Sequence, residues 1–261
     1  VYHESIALHL YEEGFQVSVV NPARPKEFAK ALGVTHKTDK ADSLLLAKFG
    51  YQMTPDLWKP DSPQIRKLKA LVKRIEAIEK DIQRELNRKE QAEIAADGSL
   101  VIESIKIMIT SLTDEKDRLL QELDQHIDDD PTLKNDRALL ESIPGVGEVV
   151  SRVMLCVLSS KRFDKASSVS AYLGLIPRIR ESGTFKGRST LSKVGPARVR
   201  AKIYMAAVVA KQHNPDVKSL YDRLKKNGKT HMQALGAAMR KLTQICFGVL
   251  KHQNMYKPQL G

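Results

Sequence analysis

The sequence is poor in cysteine, in aromatic side chains and in long hydrophobic runs. It has two cysteines among 261 residues and no C-x-x-C pair, which excludes a disulfide scaffold and a zinc ribbon and fits a reducing cytosol. The longest apolar stretches, such as 203–210, fall far short of the roughly 20 residues that span a bilayer, so we expect no membrane partner. Acidic residues are outnumbered by basic ones, 31 to 43, which leaves a net charge of +12. That imbalance favours a polyanionic partner, and a hydrophobic content of 42% is enough for a folded core.

Residues 1 to about 60 are predicted to be α/β. Hydrophobic spacing and glycine stops predict helices over 2–13, 26–32 and 38–49, and the apolar run 15–20 predicts a β-strand closed by Asn21-Pro22. A single strand leaves two unpaired edges. We therefore expect further strands from residues upstream of Val1 or from another chain, and interpret the sequence as part of a longer polypeptide.

Residues 61–130 are predicted to be helical arms. Apolar residues at spacings of three and four run along 65–86 and again along 102–123, interrupted at Glu79 and Lys116, with a turn at 95–99. The pattern indicates an antiparallel helical hairpin or a coiled coil with another subunit, hence a homo-oligomer. A solvated helix face is the alternative explanation of the two polar positions.

Residues 131–261 form a third, helical zone interrupted by a Gly/Ser-rich loop at 178–195. The chain as a whole is therefore predicted to be mainly α with an α/β N-terminal part, in zones 1–60, 61–130 and 131–261. Helices of the third zone are expected near 133–142, 147–158, 196–212, 216–226 and 230–251.

A pair of carboxylates begins the helix predicted at 38–49. Asp39 and Asp42 are three residues apart, so their side chains lie on one side of the helix. Two carboxylates suit a hard cation such as Mg²⁺, although they form an incomplete ligand set. The same residues also fit ordinary helix capping with favourable acidic charge in the first turn.

The segment 142–147 joins two predicted helices through the motif Ile-Pro-Gly-Val-Gly. It resembles a helix-hairpin-helix, in which glycines such as Gly145 and Gly147 let backbone N–H groups approach a phosphate at a helix N-terminus. An ordinary tight corner between helices is an equal alternative.

Most of the net charge lies between residues 174 and 202. This stretch has one acid, Glu181, and eight cations, so it carries +7 of the total +12. Interleaved with glycines and hydroxyls, it predicts a nucleic-acid backbone contact. The cations are Arg178, Arg180, Lys186, Arg188, Lys193, Arg198, Arg200 and Lys202.

Ser182 precedes Gly183 inside this loop. A serine among arginines can attack a phosphate, because guanidinium groups stabilise charge on its oxygens. No histidine lies close in sequence to act as a base, so activation needs a metal or a distant carboxylate. A serine that only donates to a phosphate or stabilises a turn is the alternative, and Ser189, Thr190 and Ser192 compete for the same role.

Taken together, these motifs resemble the bridge-RNA-guided insertion-sequence transposases, which have an N-terminal RuvC-like DEDD domain and a C-terminal serine transposase domain. Each matching segment is short, and together they follow the family's order along nearly the whole chain. The segments are 14–22, 37–42, 142–147, 171–177, 181–183, 192–195 and 228–242.

The resemblance implies roles for particular residues. It assigns 1–60 to the C-terminal part of a RuvC-like domain, 61–130 to coiled-coil arms and 131–261 to the transposase domain. Asp39 and Asp42 correspond to the third and fourth acidic residues of the DEDD set, as Mg²⁺ ligands, and Ser182 to the nucleophile. The first two acids of that set would precede Val1. The implied partners are donor and target double-stranded DNA and a structured guide RNA. The resemblance also implies a dimer or tetramer of this chain, in which the Ser182 of one subunit meets the carboxylates of another. The implied location is the cytoplasm, at the nucleoid.

Three functions remain open on the sequence. The first is an RNA-guided recombinase with a covalent serine intermediate. The second is a RuvC-like metal-dependent endonuclease, in which water attacks and Ser182 only contacts phosphate. The third is a non-catalytic nucleic-acid-binding relative.

Overall fold

The computed structural model divides the chain into two compact units, Val1–Ser62 and Pro63–Gly261. In the part of the chain that the structure describes, both units are mainly helical, and no helix is long and apolar enough to cross a membrane. The described residues are 2–34, 38–95, 98–161, 163–178, 181–182, 185–186 and 190–259.

The described residues of the first unit form three helices, α1 (Tyr2–Glu12), α2 (Ala23–Ala31) and α3 (Asp39–Met53). Phe28 of α2 packs edge-on against the buried ring of Phe49 in α3, with ring centres 5.5 Å apart. Tyr11 of α1 makes a similar contact with Trp58, at 6.2 Å. Of these four rings, that of Phe49 is buried and that of Tyr11 is exposed.

The run 15–20, predicted to be a strand, forms no strand among the described residues. The backbone N of Trp58 donates to the oxygen of Val17 at 2.7 Å, and Ser18 Oγ donates to the oxygen of Pro55 at 3.1 Å. A β-ladder needs a repeating series of backbone bonds with a neighbouring strand, and one such bond does not make it. The prediction of an α/β N-terminal part is therefore wrong for the described residues of this unit.

The second unit begins with a helical hairpin. Helices α4 (Pro63–Ile94) and α5 (Ser99–Asp128) pack along each other. His126 Nε2, near the end of α5, lies 2.9 Å from the oxygen of Gln64 at the start of α4, so the helices are antiparallel. The hairpin alternative is thus the arrangement within this chain, and a coiled coil with another subunit stays a prediction.

In the described part of the chain six helices follow the hairpin, and the hairpin's base packs against the first two of them. Five lie within about two residues of their predicted ranges, because caps such as Asp130, Asn214 and Thr230 mark their first turns. The short α8 was not predicted. The helices are α6 (Pro131–Glu141), α7 (Glu148–Ser159), α8 (Ala166–Tyr172), α9 (Ala197–His213), α10 (Pro215–Lys226) and α11 (His231–His252).

The residues that the structure describes in the loop between α8 and α9 include two short antiparallel strand pairs. Strands β1 (Pro177–Arg178) and β4 (Thr190–Leu191) form the base, and β2 (Glu181–Ser182) and β3 (Phe185–Lys186) lie further out along the same loop. We call residues 177–191 the serine hairpin.

Candidate nucleic-acid interface

Ser182 lies in β2, which pairs with β3 in the part of the serine hairpin further from its base along the chain. Ser182 pairs with Phe185, and the two residues between them lie outside the described part of the chain, as do Arg180 and Arg188. The register therefore brings Ser182 directly before the connection of the outer strand pair. For Ser182 and Lys186 the structure describes the backbone.

The base of the serine hairpin is locked by two glycines. Gly174 has φ +68°, and a Cβ there would lie 2.3 Å from the oxygen of Val194. Gly195 has φ +107°, and a Cβ there would lie 2.1 Å from the oxygen of Tyr172. Glycine has no Cβ, so at positions 174 and 195 it lets the backbones of the two loop ends approach this closely. Any other residue at either position would push these two backbone segments apart. Leu191 then docks on α11 at Gly236, with its Cδ1 3.4 Å from where a Cβ would stand.

The predicted phosphate-binding cations divide into two groups. Arg178 and Lys193 are exposed, and neither forms an ion pair among the described residues. Arg198 Nη1 instead donates to the oxygen of Glu76 on α4 at 2.6 Å. Arg200 Nη1 donates to the oxygens of Leu173 and Gly195, at 3.2 and 3.0 Å. Arg198 thus joins α9 to α4, and Arg200 holds the two ends of the loop, structural roles that the sequence prediction missed.

The two glycines of the 142–147 turn have different surroundings. Gly145 has φ +95°, and a Cβ there would lie 2.7 Å from the Cβ of Ala210 on α9, so this glycine permits close packing of the turn. Gly147 is exposed, a Cβ added to it would have nothing within 4 Å, and it begins α7 without a side-chain cap. Free amides at a helix start can bind an anion, so the geometry leaves Gly147, and not Gly145, open to a phosphate.

Asn214 fixes the position of this turn and was not found from the sequence. Its buried side chain donates from Nδ2 to the oxygen of Pro144 at 3.4 Å and accepts from the N of Val217 at 3.1 Å. Tyr256 OH lies 3.0 Å from Asn214 Oδ1 and 2.7 Å from Asp216 Oδ2, two acceptors that share its single proton. Burial, then the bond to Asp216, raises the pKa of Tyr256 to about 12. The Asn-Pro pair at a helix start was the available signal.

Asp39 and Asp42 lie in the first turn of α3. Thr38 caps the helix, its Oγ1 accepting from the N of Ala41 at 3.2 Å. Asp39 is exposed and Asp42 half-buried, and neither carboxylate has a hydrogen-bond or ion-pair partner among the described residues. Two free carboxylates on one side of a helix are hard oxygen donors, which suit Mg²⁺.

The described residues bring no third acid, histidine or cysteine to that pair. The donor chemistry therefore fits a divalent cation, and the ligand set provided by the described residues is partial. Ser182 and these aspartates belong to different compact units of the chain.

Comparison with known proteins gives two family matches. A family model described as a transposase of the DEDD, IS110 type matches residues 1–92. A second, described as "Transposase IS116/IS110/IS902 family", matches residues 137–222.

Curated relatives agree with these matches. The pilin gene-inverting protein of Moraxella lacunata is 31% identical over 99% of this chain and 80% of its own length. That of Moraxella bovis is 30% identical over the same shares. An uncharacterized 43.6 kDa protein of insertion element IS110 from Streptomyces coelicolor is 24% identical over 62% of this chain and 39% of its own length.

These similarities define the class: the chain is a transposase, an enzyme of DNA recombination. It belongs to the IS116/IS110/IS902 family of insertion-element transposases.

Proposed function

We propose that this transposase cuts and rejoins DNA through Ser182, with Mg²⁺ held by Asp39 and Asp42. The observation that carries the proposal is the serine hairpin itself. Its strand register puts Ser182 beside the outer connection of an arm whose base is locked by Gly174 and Gly195. An arm held this firmly can present one hydroxyl to a bound strand at a defined place.

The proposed exchange balances without an external energy source. Ser182 Oγ forms a bond to phosphorus as one phosphorus–oxygen ester bond of the DNA breaks, and the serine proton passes to a base while the departing sugar oxygen takes up a proton. The ester to Ser182 conserves the phosphodiester, so attack by another sugar hydroxyl rejoins DNA and frees the serine. Bound Mg²⁺ would supply a Lewis acid for the phosphoryl oxygens.

We assign the neighbouring cations to the DNA backbone. Arg178 and Lys193 are exposed and without ion-pair partners among the described residues. Arg180, Lys186 and Arg188 lie within six residues of Ser182 in sequence, and Gly147 leaves the start of α7 open. Contacts of this type fix the position of a duplex and carry no sequence information. We therefore further propose that a structured guide RNA selects donor and target DNA, through base pairing.

We also propose a homo-oligomer, a dimer or tetramer, that pairs through the coiled-coil arms. Near the tip of the helical hairpin, Ile94 and Leu100 have exposed fractions of 79% and 77%, and Met108 is half exposed. Apolar side chains at a narrow helical tip favour a second pair of helices over solvent. A second copy can also bring its Ser182 to the carboxylates of the first in a RuvC-like DEDD domain.

The alternative function is a RuvC-like metal-dependent endonuclease. The match of residues 1–92 to a DEDD transposase model favours it specifically, as do the two carboxylates that have no hydrogen-bond or ion-pair partner among the described residues. In that case an activated water attacks the phosphate, and Ser182 contacts phosphate only.

A trapped protein–DNA species separates the two. The protein is purified with RNA co-expressed from the DNA that flanks its gene and is incubated with Mg²⁺ and a labelled duplex. Denaturing gels are run with and without protease for wild type, Ser182→Ala and the control Ser192→Ala. We expect a slow, protease-sensitive band in wild type and control that Ser182→Ala lacks. Cleaved DNA without that band, unchanged by Ser182→Ala, contradicts the serine mechanism and supports the endonuclease.

The metal assignment has its own test. Asp39→Asn and Asp42→Asn should each abolish cleavage, whereas the exposed Asp56→Asn in the same unit should not. Full cleavage by either of the first two variants would show that the metal ligands lie elsewhere.

Sedimentation tests the oligomer. Leu100→Lys should shift the protein towards monomer, because it places a charge in the proposed helical seam, and Gln91→Lys, an exposed polar position, should not. An unchanged distribution for Leu100→Lys would remove the hairpin tip from the interface.

A further inference from the structure

A second concentration of cations lies outside the serine hairpin. Residues 211–231 contain six lysines and arginines against two aspartates. In the part of the chain that the structure describes, none of the six forms an ion pair. The six are Lys211, Lys218, Arg223, Lys225, Lys226 and Lys229.

Contacts among three helices gather several of these cations around one tyrosine. Tyr221 OH lies 2.5 Å from His231 Nδ1, and this contact joins α10 to the start of α11. Lys211 Nζ, from the end of α9, stands 5.3 Å from the centre of the Tyr221 ring. Lys218 and Lys225 are three residues before and four after Tyr221 on α10, so they flank it on the helix surface. We call Lys211, Lys218, Lys225, Lys229 and the Tyr221–His231 pair the α10 cluster.

The corner that carries Lys229 is well defined. Gly228 has φ +77°, its N bonds to the oxygen of Lys225 at 3.1 Å, and the N of Lys229 bonds to that of Leu224 at 3.0 Å. Thr230 and Gln233 then form a capping box at the start of α11. These bonds close the end of α10 and the start of α11, so ligand binding needs little ordering of this backbone.

The α10 cluster lies near the base of the serine hairpin. Leu191, in the inner strand pair, contacts α11 at Gly236. His231 precedes Gly236 by five residues, which is about 7.5 Å along the helix axis. A nucleic-acid duplex is wider than this separation, so one duplex at the start of α11 can reach both features.

We propose that the α10 cluster binds the phosphodiester backbone of a nucleic-acid duplex whose neighbouring segment is engaged at the serine hairpin. Lys218 and Lys225 are about 10 Å apart along α10, a length over which the axis of a duplex advances by about three base pairs. The ligand is recognised by its phosphates and not by its bases. The site deepens the proposed function and rests on it.

The test compares two sets of charge removals of equal size. The cluster variant is Lys218→Gln, Lys225→Gln and Lys229→Gln. The control is Arg84→Gln, Arg88→Gln and Lys89→Gln, three cations of α4 that already have acidic partners. Fluorescence anisotropy measures the binding of a labelled DNA duplex and, separately, an RNA duplex over a series of salt concentrations. A thermal melt followed by circular dichroism checks that both variants fold.

The cluster variant should bind roughly tenfold or more weakly than the control, and the slope of log affinity against log salt should fall by about one for each phosphate that the variant no longer neutralises. Loss for the DNA arm alone or the RNA arm alone supports the site and identifies its ligand. Equal affinity and slope for the cluster variant and the control in both arms overturn the inference and leave the serine mechanism standing. Wild type that binds neither duplex overturns the proposed function together with the inference.

Discussion

The base of the helical hairpin and the outer surface of the C-terminal helices use cations in opposite ways. At the base, Arg152 and Arg137 both contact Asp124 of α5, with Arg152 Nη2 2.5 Å from Asp124 Oδ2 and Arg137 Nη1 3.2 Å from Oδ1. On the outer surface, Lys193 and Lys218 are exposed, and they have no acidic partner in the described part of the chain. A paired, half-buried cation holds helices together, and an unpaired exposed one raises the electrostatic potential that attracts a polyanion.

The cations behind the net charge of +12 therefore have two different roles, stabilising the fold and attracting a polyanion. The cations of α6, α7 and α9 that face the hairpin join it to the remaining helices, as in Arg198 with Glu76 and Lys202 with Glu79, at 3.7 and 3.4 Å. Sequence clustering alone placed Arg198 in the nucleic-acid surface. The comparison therefore predicts that substitutions in the two regions separate stability from binding.

The largest expected effect comes from the glycines that lock the serine hairpin. Gly195→Ala should lower the free energy of unfolding by about 3 kcal/mol, because the new Cβ meets the oxygen of Tyr172 and φ is unfavourable. Urea denaturation measures it. Gly248→Ala, inside α11 with open space where its Cβ would stand, is the matched control and should be neutral or slightly stabilising. Equal stability for the two variants would mean that the loop ends are not locked.

The next effect tests the paired region. Asp124→Asn should cost about 2 kcal/mol, because Arg152, whose side chain is 12% exposed, and Arg137 would be left without their shared charged partner. The control is Asp81→Asn, which removes the partner of the exposed Arg84 on α4 and should cost about 0.3 kcal/mol. Thermal unfolding gives both values, and similar losses at the two sites would remove the distinction between base and surface.

A smaller effect compares one cation from each group. The guanidinium of Arg198 is hydrogen-bonded to Glu76. Arg198→Gln should therefore lower the free energy of unfolding by about 1 kcal/mol and leave the salt dependence of DNA binding unchanged. Lys193→Gln should leave stability unchanged and reduce the salt slope by about one. Denaturation and anisotropy on the same preparations measure both quantities. The reverse outcome would return Arg198 to the binding surface.

The smallest effect concerns the Tyr256 hydroxyl, whose contacts involve neither a paired nor an unpaired cation. The pKa of Tyr256 is about 12 in the folded chain and 10 ordinarily, so the folded state holds the proton more tightly. Stability from this hydroxyl is present below pH 10 and is lost as pH rises towards 12. Tyr256→Phe should therefore be less stable than wild type at about pH 8, with the difference shrinking above about pH 10. Chemical denaturation at several pH values checks it, and a constant difference would contradict the assignment.

Much of the helical framework could be predicted because its signals are local. Asp130-Pro131, Asn214-Pro215 and Thr230 with Gln233 mark helix starts within a few residues. The strand at 15–20 was predicted wrongly, because an apolar run has strand propensity and the partner strand is a tertiary matter. Helix α8 was missed, since its seven residues carry too short a pattern to be distinguished from a loop.

In the candidate site, too, residues with a local sequence signal could be predicted, and residues that depend on tertiary contacts could not. Ser182, Asp39 and Asp42 were named from motifs, and their roles remain proposals. The α10 cluster escaped because its lysines are spread over α9, α10 and the corner that follows α10, and because they resemble a solvated helix face. Asn214 escaped because its value lies in joining Pro144, Val217 and Tyr256, and Tyr256 is 42 residues away along the chain.

Composition and local pattern were enough to establish a basic, mainly helical chain with long arms and a glycine-rich cationic loop, since charge counts, caps and periodicity depend on neighbours within a few residues. Which cations are free to meet a phosphate was decided by the tertiary structure. Arg198 and Lys193 are five residues apart and equally charged in sequence. They differ because folding brings Glu76, 122 residues away, to one of them and gives the other no acidic partner among the described residues.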